Sequence, residues 1–264
     1  MLEMFQPGVG AVFSADIAVP EHEREVAFYA RVLTTGTAPL WREDLLNNLG
    51  LPIIGLGAQS AEYSQLPLQW MPHIQVADVA VSARRAVTAG GRELMHARSD
   101  AGVSQWAVLT DPNGAAFGVI PEVSVDELPA EGRMAAADAA GVGRIAWLDL
   151  TVPDAAATRD YYQLVIGWTV LDEAPADGNA GVSGYRMLDK NGTAVAGVRY
   201  ARDEHADLPA AWLLHLPVGD LVESLRRTEQ VGGRVVKVLQ NRRGAREYAV
   251  IEDPVGVYVA LMVV

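Results

Sequence analysis

The stretch Leu148-Asp-Leu-Thr-Val-Pro-Asp154 repeats Ala15-Asp-Ile-Ala-Val-Pro-Glu21 at a displacement of 133 residues, without gaps. In both, apolar and polar residues alternate before a Pro-acid pair, which reads as a strand running into a helix start. The same displacement carries Phe28-Tyr29 onto Tyr161-Tyr162. Further on, a displacement of 142 carries Trp70, His73, Val76, Asp78, Ser82, Arg84-Arg85 and Gly90-Gly91-Arg92 onto Trp212, His215, Val218, Asp220, Ser224, Arg226-Arg227 and Gly232-Gly233-Arg234. Asp111-Pro112 and Gly114 recur as Asp253-Pro254 and Gly256. Repetition at this scale means two homologous halves.

The boundaries follow: residues 1–120 form a first domain, 121–143 a linker and 144–264 a second domain. The linker is rich in Ala, Gly, Glu and Asp and carries one short helical pattern at Met134–Ala140. The 264 residues include 33 acids, 21 bases and no cysteine, for a net charge of −12. That balance argues against nucleic acid, whose phosphates need clustered Lys and Arg. Without cysteine there is no disulfide, thiolate metal site or cysteine nucleophile. Residues 1–132 hold 7 bases and 16 acids and residues 133–264 hold 14 and 17, so the halves stand at −9 and −3. No base precedes Arg24, and the longest apolar run, Val255–Val264, is about half of the roughly 20 residues that span a bilayer. The expectation is a cytoplasmic protein with no membrane partner.

Each half divides again. Phe13–Pro20 reads as a strand, Glu21–Leu33 as a helix, and the stretch to Ala58 as further short strands. His73–Val76 is then a strand, Val79–Ala89 a helix stopped by Gly90-Gly91, and Glu93–Ala97 a strand. Gln105–Thr110 and Ala115–Ile120 form a hairpin around Asp111-Pro-Asn-Gly114. The unit is βαβββ, four times over, in the α+β class.

These pieces resemble the vicinal oxygen chelate superfamily of glyoxalase I, extradiol dioxygenases and bleomycin-resistance proteins. The residues that carry the resemblance are Asp149–Asp154, Tyr161-Tyr162, Ile166-Gly167-Trp168, Val76-Ala77-Asp78, Gly90-Gly91 and the turns Asp111–Gly114 and Asp253–Gly256. The branch most similar is the two-domain, four-module actinobacterial glyoxalase/hydroxylase-like type. The resemblance implies that paired βαβββ modules curve around a cavity in each domain. Metal-using members place four His or Glu ligands there, one on the first and one on the last strand of each module. Carried over, those positions are Ser14, Gly55, Met71 and Gly118, then Trp147, Gly197, Leu213 and Ala260. None suits a divalent ion, so no metal and no cofactor are expected.

Strand parity extends the reading, because residues i and i+2 share a face. The positions two along from the lost ligands are Asp16 and His73, followed by Ala18 and Gln75, in the first domain. In the second they are Asp149 and His215, followed by Thr151 and Pro217. Each cavity therefore receives one Asp and one His. If they meet, the imidazole can act as a general base beside a carboxylate. The same residues also fit structural roles, an Asp bonding a turn amide and a His satisfied in the core.

Trp147, Tyr258, Met262 and Leu213 in the second cavity, with Met71 and Gln75 in the first, are the candidate ligand-binding residues. Aromatic and Met walls suit a planar or hydrophobic molecule, although Trp147 fits equally well as filler of the space a metal would hold. The less acidic second half, with its Trp147 wall, reads as the better place for a planar or anionic ligand. Trp70, Trp212, Phe28, Tyr29, Tyr161 and Tyr162 read as core. Trp41 reads as a loop residue able to close over the first cavity. Ser14 falls opposite His73, but no Gly-x-Ser-x-Gly elbow surrounds it, which argues against a hydrolase triad.

Two functions follow from these residues. The favoured one is metal-independent binding of a small, aromatic or natural-product-like molecule for sequestration, resistance or an accessory role in biosynthesis. The alternative is a metal-free isomerase, cyclase or lyase using an Asp–His pair. The partner is a small-molecule ligand or substrate. Four modules in one chain complete both cavities, so a monomer is adequate and a homodimer is compatible.

Overall fold

The computed structural model describes residues 8–37, 41, 54–124, 126, 145–173, 182–202, 205–240 and 246–263. The expected helix at 134–140 and most of the linker lie outside these residues. The first half contains β1 Val12–Val19, α1 His22–Leu33, β2 Ile54–Ala58, β3 Met71–Val76, α2 Val79–Thr88, β4 Arg92–Arg98, β5 Ser104–Thr110 and β6 Ala116–Pro121. The second contains β7 Trp147–Val152, α3 Ala155–Ile166, β8 Thr169–Glu173, β9 Gly184–Leu188, β10 Ala194–Tyr200, β11 Trp212–Val218, α4 Leu221–Gln230, β12 Arg234–Gln240, β13 Arg246–Glu252 and β14 Tyr258–Val263.

One mixed sheet of six described strands runs β2-β1-β3-β6-β5-β4, and another of eight runs β12-β13-β14-β11-β7-β10-β9-β8. In each, the first strands of the two modules pair antiparallel at the centre (β1 with β3, β7 with β11). Each of these then pairs parallel with the last strand of its own module. This is the α+β, curved-sheet architecture that the resemblance implied.

The repeated motifs have local explanations. Asp78, Asp154 and Asp220 are N-caps whose carboxylates accept the amides of Val81, Ala157 and Glu223 at 2.9–3.0 Å, an arrangement worth about 1 kcal/mol each. Asp111 and Asp253 accept two backbone amides apiece inside their turns. Gly90 and Gly232 both end a helix at φ +93, where a Cβ is costly.

The two halves pack through their helical faces. Helix α1 lies against α4 and α2 against α3, and one apolar cluster includes Ala15, Phe28, Tyr29, Trp70, Phe117, Tyr162, Trp168 and Trp212 from both domains. Polar groups cross the same boundary. Tyr29 donates to Asp253 Oδ2 at 2.8 Å, Trp168 to the Gly10 carbonyl at 2.8 Å, and the Thr35 and Ser224 hydroxyls meet at 2.7 Å. A Cβ at Gly233 would stand 2.7 Å from the Phe28 ring, so the second glycine of that pair is where the other domain's helix seats an aromatic.

Trp41 is not a cavity lid. It is 1% exposed and donates to the Pro217 carbonyl at 2.8 Å, which ties it into the core between the domains. The opposite, concave face of each sheet carries a smaller apolar cluster: Met71, Val108 and Ala116 in one domain, Leu213, Leu239, Val250 and Ala260 in the other. No helix among the described residues is long and apolar enough to cross a membrane.

Candidate functional site: two cavities of unequal size

Parity along β1 sets Ala15, Ile17 and Val19 into the helical core, each at most 2% exposed, and leaves Asp16 facing the concave side. Strand β3 does the same for His73, which pairs with Ser14 on β1 and with Gly118 on β6. Ser14 Oγ lies 3.2 Å from His73 Nδ1, and His73 Nε2 lies 3.6 Å from Asp16 Oδ2. The second distance is too long for a hydrogen bond. Burial pushes the His73 pKa below its usual 6.5, against the pull of Asp16, so the ring is neutral at pH 7.

Above this trio opens a cavity of about 470 Å³. Its walls include Tyr63, Leu66, Met71, Met95, Trp106 and Val108; Gly57 leaves room at the floor, while Asp16 and His73 lie over Gly55 and Gly118. Trp106 is 39% exposed, unusual for so large an apolar side chain. A volume of this size falls within the range of roughly 300–1,000 Å³ typical of small-molecule pockets.

In the second domain the equivalent pair is drawn tight. His215 Nε2 lies 3.0 Å from Asp149 Oδ2, and both residues are buried. Asp149 Oδ1 also accepts Trp147 Nε1 at 2.9 Å and Arg199 Nε at 3.1 Å. Arg199 Nη1 continues to Glu173 Oε2 at 2.8 Å, and Glu173 holds Arg186 at 2.7 Å. Tyr248 packs its ring 4.7 Å from that of His215. Burial alone would raise the Asp149 pKa, but the bond to His215, the charges of His215 and Arg199 and the Trp147 bond hold it at about 2. A cavity of about 180 Å³ on one side of Asp149 is lined by Asp149, Thr151, Leu213 and Tyr258 and reaches Trp70 and Trp212 at the domain boundary.

The structure thus places Asp16, His73 and Met71 at the larger cavity, and Asp149, Leu213 and Tyr258 at the smaller one. Three expected ligand-binding residues stand elsewhere. Gln75 is fully buried and lines neither cavity. Its Oε1 accepts the Val123 amide at 2.8 Å and reaches toward Gly8, which fixes chain segments against β3. Trp147 bonds Asp149 instead of presenting an open wall, and it lines neither cavity. Met262 is half-buried on β14, beside Pro217 and Tyr248, and lines neither as well. Of the two cavities described, the one in the first half is the larger.

Sequence reasoning missed Arg199 and Trp106. Arg199 lies two residues beyond Gly197, so the i+2 rule applied to the last strand of the module would have found it. Trp106 shares a face of β5 with Val108 by the same rule.

The family's metal positions can be tested directly. They carry Ser14, Gly55, Met71 and Gly118 in one domain and Trp147, Gly197, Leu213 and Ala260 in the other. Among the described residues no three His, Cys, Asp or Glu side chains converge as a ligand set. On the second-domain Asp, a guanidinium stands where a cation would be held. The donor set does not fit the family's metal.

Two curved sheets of paired modules around such cavities define a class, and comparison agrees. Residues 144–261 match the glyoxalase/bleomycin resistance protein/dioxygenase superfamily and residues 13–120 match a glyoxalase-like domain. The chain belongs to that superfamily. Among curated relatives, the anthracycline biosynthesis protein DauV of Streptomyces sp. (strain C5) is 31% identical over 72% of this chain and 64% of its own length. DnrV of Streptomyces peucetius, also an anthracycline biosynthesis protein, is 32% identical over 43% of this chain and 44% of its own. The chain therefore spans less than two thirds of these two relatives. A putative glyoxylase, CFP32 of Mycobacterium tuberculosis, is 24% identical over 72% of this chain and 68% of its own. In fold alone, the chain is similar to the 2,2',3-trihydroxybiphenyl 1,2-dioxygenase of Sphingomonas wittichii strain RW1, with TM-score 0.55, 14% identity and coverage of 98% and 90%.

Proposed function

We propose that the protein binds a small planar aromatic molecule in the first-domain cavity, without a metal, in an accessory, sequestering or resistance role. The observation that carries this reading is the cavity of about 470 Å³ walled by Trp106, Met71, Met95, Tyr63 and Leu66. Flat and polarisable side chains stack on and adapt to a planar ring system. The names of the two Streptomyces relatives support a polycyclic aromatic ligand. The partner is a small molecule in the cytoplasm, not nucleic acid or a membrane.

Titration with a hydroxyanthraquinone tests this. Saturable quenching of Trp fluorescence is expected, with unchanged affinity after exhaustive chelation. Trp106→Ala should weaken binding about tenfold, the loss of one stacked ring and its buried area. Absence of saturable quenching across a broad set of planar aromatics overturns the reading.

A second reading has its own support. His73 is a neutral imidazole with Ser14 on one nitrogen and Asp16 near the other, at the floor of the same cavity. In that position it can take a proton from a bound substrate, help typically worth about 10² to 10⁴-fold in rate. A His73→Ala variant that retains turnover removes this reading. We assign the Asp149–His215 pair a structural role, because Trp147 and Arg199 already occupy the carboxylate.

A further inference from the structure

The two domains differ at two positions around a shared frame. In both, the Asp (Asp16, Asp149) lies over a glycine of the neighbouring parallel strand (Gly55, Gly197), so close that a Cβ there would collide with Oδ1. In both, a His on the antiparallel neighbour faces that Asp. Around this frame the second domain adds Trp147 and Arg199, which give Asp149 an indole N–H at 2.9 Å and a guanidinium at 3.1 Å. The repeat puts Ser14 and Gly57 at the corresponding places in the first domain. Where the second domain has a cation, the first has Gly57 at the wall of an open cavity, and where it has an indole the first has Ser14, held by His73.

That space is the larger of the two cavities described. The Asp16 side chain is 53% exposed within it, and among the described residues its lining holds no Lys or Arg. His73 Nε2 stands 3.6 Å from Asp16 Oδ2, too far to hydrogen-bond it, and burial disfavours the charged ring. A carboxylate beside aromatic and Met walls lacks its counter-charge, and a ligand that supplies one is favoured over one that adds a second negative charge.

On the reading that this cavity is the ligand site, we infer that its ligand is an aromatic molecule bearing a protonated amine. The amine lies against Asp16 as the Arg199 guanidinium lies against Asp149. The second domain carries in its own side chains the chemical outline of what the first domain binds.

A matched pair of probes tests the inference: a hydroxyanthraquinone with an aminoethyl substituent and the same ring with a hydroxyethyl substituent, titrated calorimetrically at pH 7.5. The wild type should bind the amine at least tenfold more tightly. Asp16→Asn should abolish that preference while keeping affinity for the hydroxyethyl probe. Gly57→Arg should weaken amine binding at least tenfold by supplying the cation internally. The site has room for it, because a Cβ at Gly57 meets only the Ile17 carbonyl, at 3.8 Å. Equal affinity for both probes in the wild type, or a preference that survives Asp16→Asn, overturns the inference and leaves the cavity reading standing. Binding of neither probe overturns both.

Discussion

Arg199 Nε lies 3.1 Å from Asp149 Oδ1, linking strands that are 50 residues apart in sequence and neighbours in the sheet. This contact covers one oxygen of Asp149; in the first domain, where Gly57 stands in place of Arg199, Asp16 faces the cavity. Chemical difference between the halves therefore rests on one long side chain and one indole placed on a common frame.

Arg199→Leu should destabilise the protein by about 3 kcal/mol, because a buried charge left without its partner keeps its desolvation cost. Urea unfolding at pH 7 measures the change. A shift under about 0.5 kcal/mol would mean that Trp147 and His215 alone satisfy Asp149.

Acid should expose the same network. The Asp149 pKa is held at about 2 in the folded protein against an ordinary 3.8. A depressed carboxylate contributes stability above pH 3.8 that is lost as pH falls toward 2, here about 2 kcal/mol. Asp149→Asn should be less stable than wild type at pH 7 and should show a shallower loss between pH 4 and 2, followed by unfolding midpoints across that range.

Glu25 should behave in the opposite sense. It is fully buried, neither carboxyl oxygen makes a hydrogen bond, and burial with the nearby charge of Asp253 raises its pKa from 4.5 to about 8. A raised carboxyl leaves stability intact below pH 4.5 and erodes it as pH rises toward 8. Glu25→Gln should therefore raise stability at pH 8, by something of order 2 kcal/mol, and have little effect at pH 4. Thermal melting at the two pH values checks it. Equal effects at both would place the gain elsewhere.

Gly233→Ala should cost about 1–3 kcal/mol by overpacking, because the new methyl would stand 2.7 Å from Phe28 Cε2 and 2.8 Å from the Glu252 carbonyl. Gly57→Ala, with no atom nearer than 3.8 Å, should be close to neutral. The contrast in urea midpoints separates glycines that seat the other domain from one that merely leaves space.

Much of the fold was legible in order. The Asp149–Asp154 repeat located β7 and the start of α3, and the Asp111–Gly114 turn located the β5–β6 hairpin, since these are short-range patterns. Parity also placed Asp16 and His73 at one cavity and brought Asp149 against His215. It failed for Gln75, whose amide oxygen is taken by the backbone of a distant segment. It failed for Trp147 as an open wall, because the indole turns to Asp149. Trp41 was misread because the carbonyl that holds it belongs to the other domain.

By itself the sequence determined what repeats and alternation control: the repeated modules, their strand faces, and an Asp facing a His in each half. Only the tertiary structure decided that the repeated Tyr, Asp and Gly-Gly motifs join one domain to the other. It alone decided, too, that Asp16 lies open to a cavity while Asp149 is covered by Trp147 and Arg199. The physical reason is that facing follows from the two-residue period of a single strand. Covering depends on how far side chains from distant strands, such as Arg199 and Trp147, reach across the sheet to meet a charge.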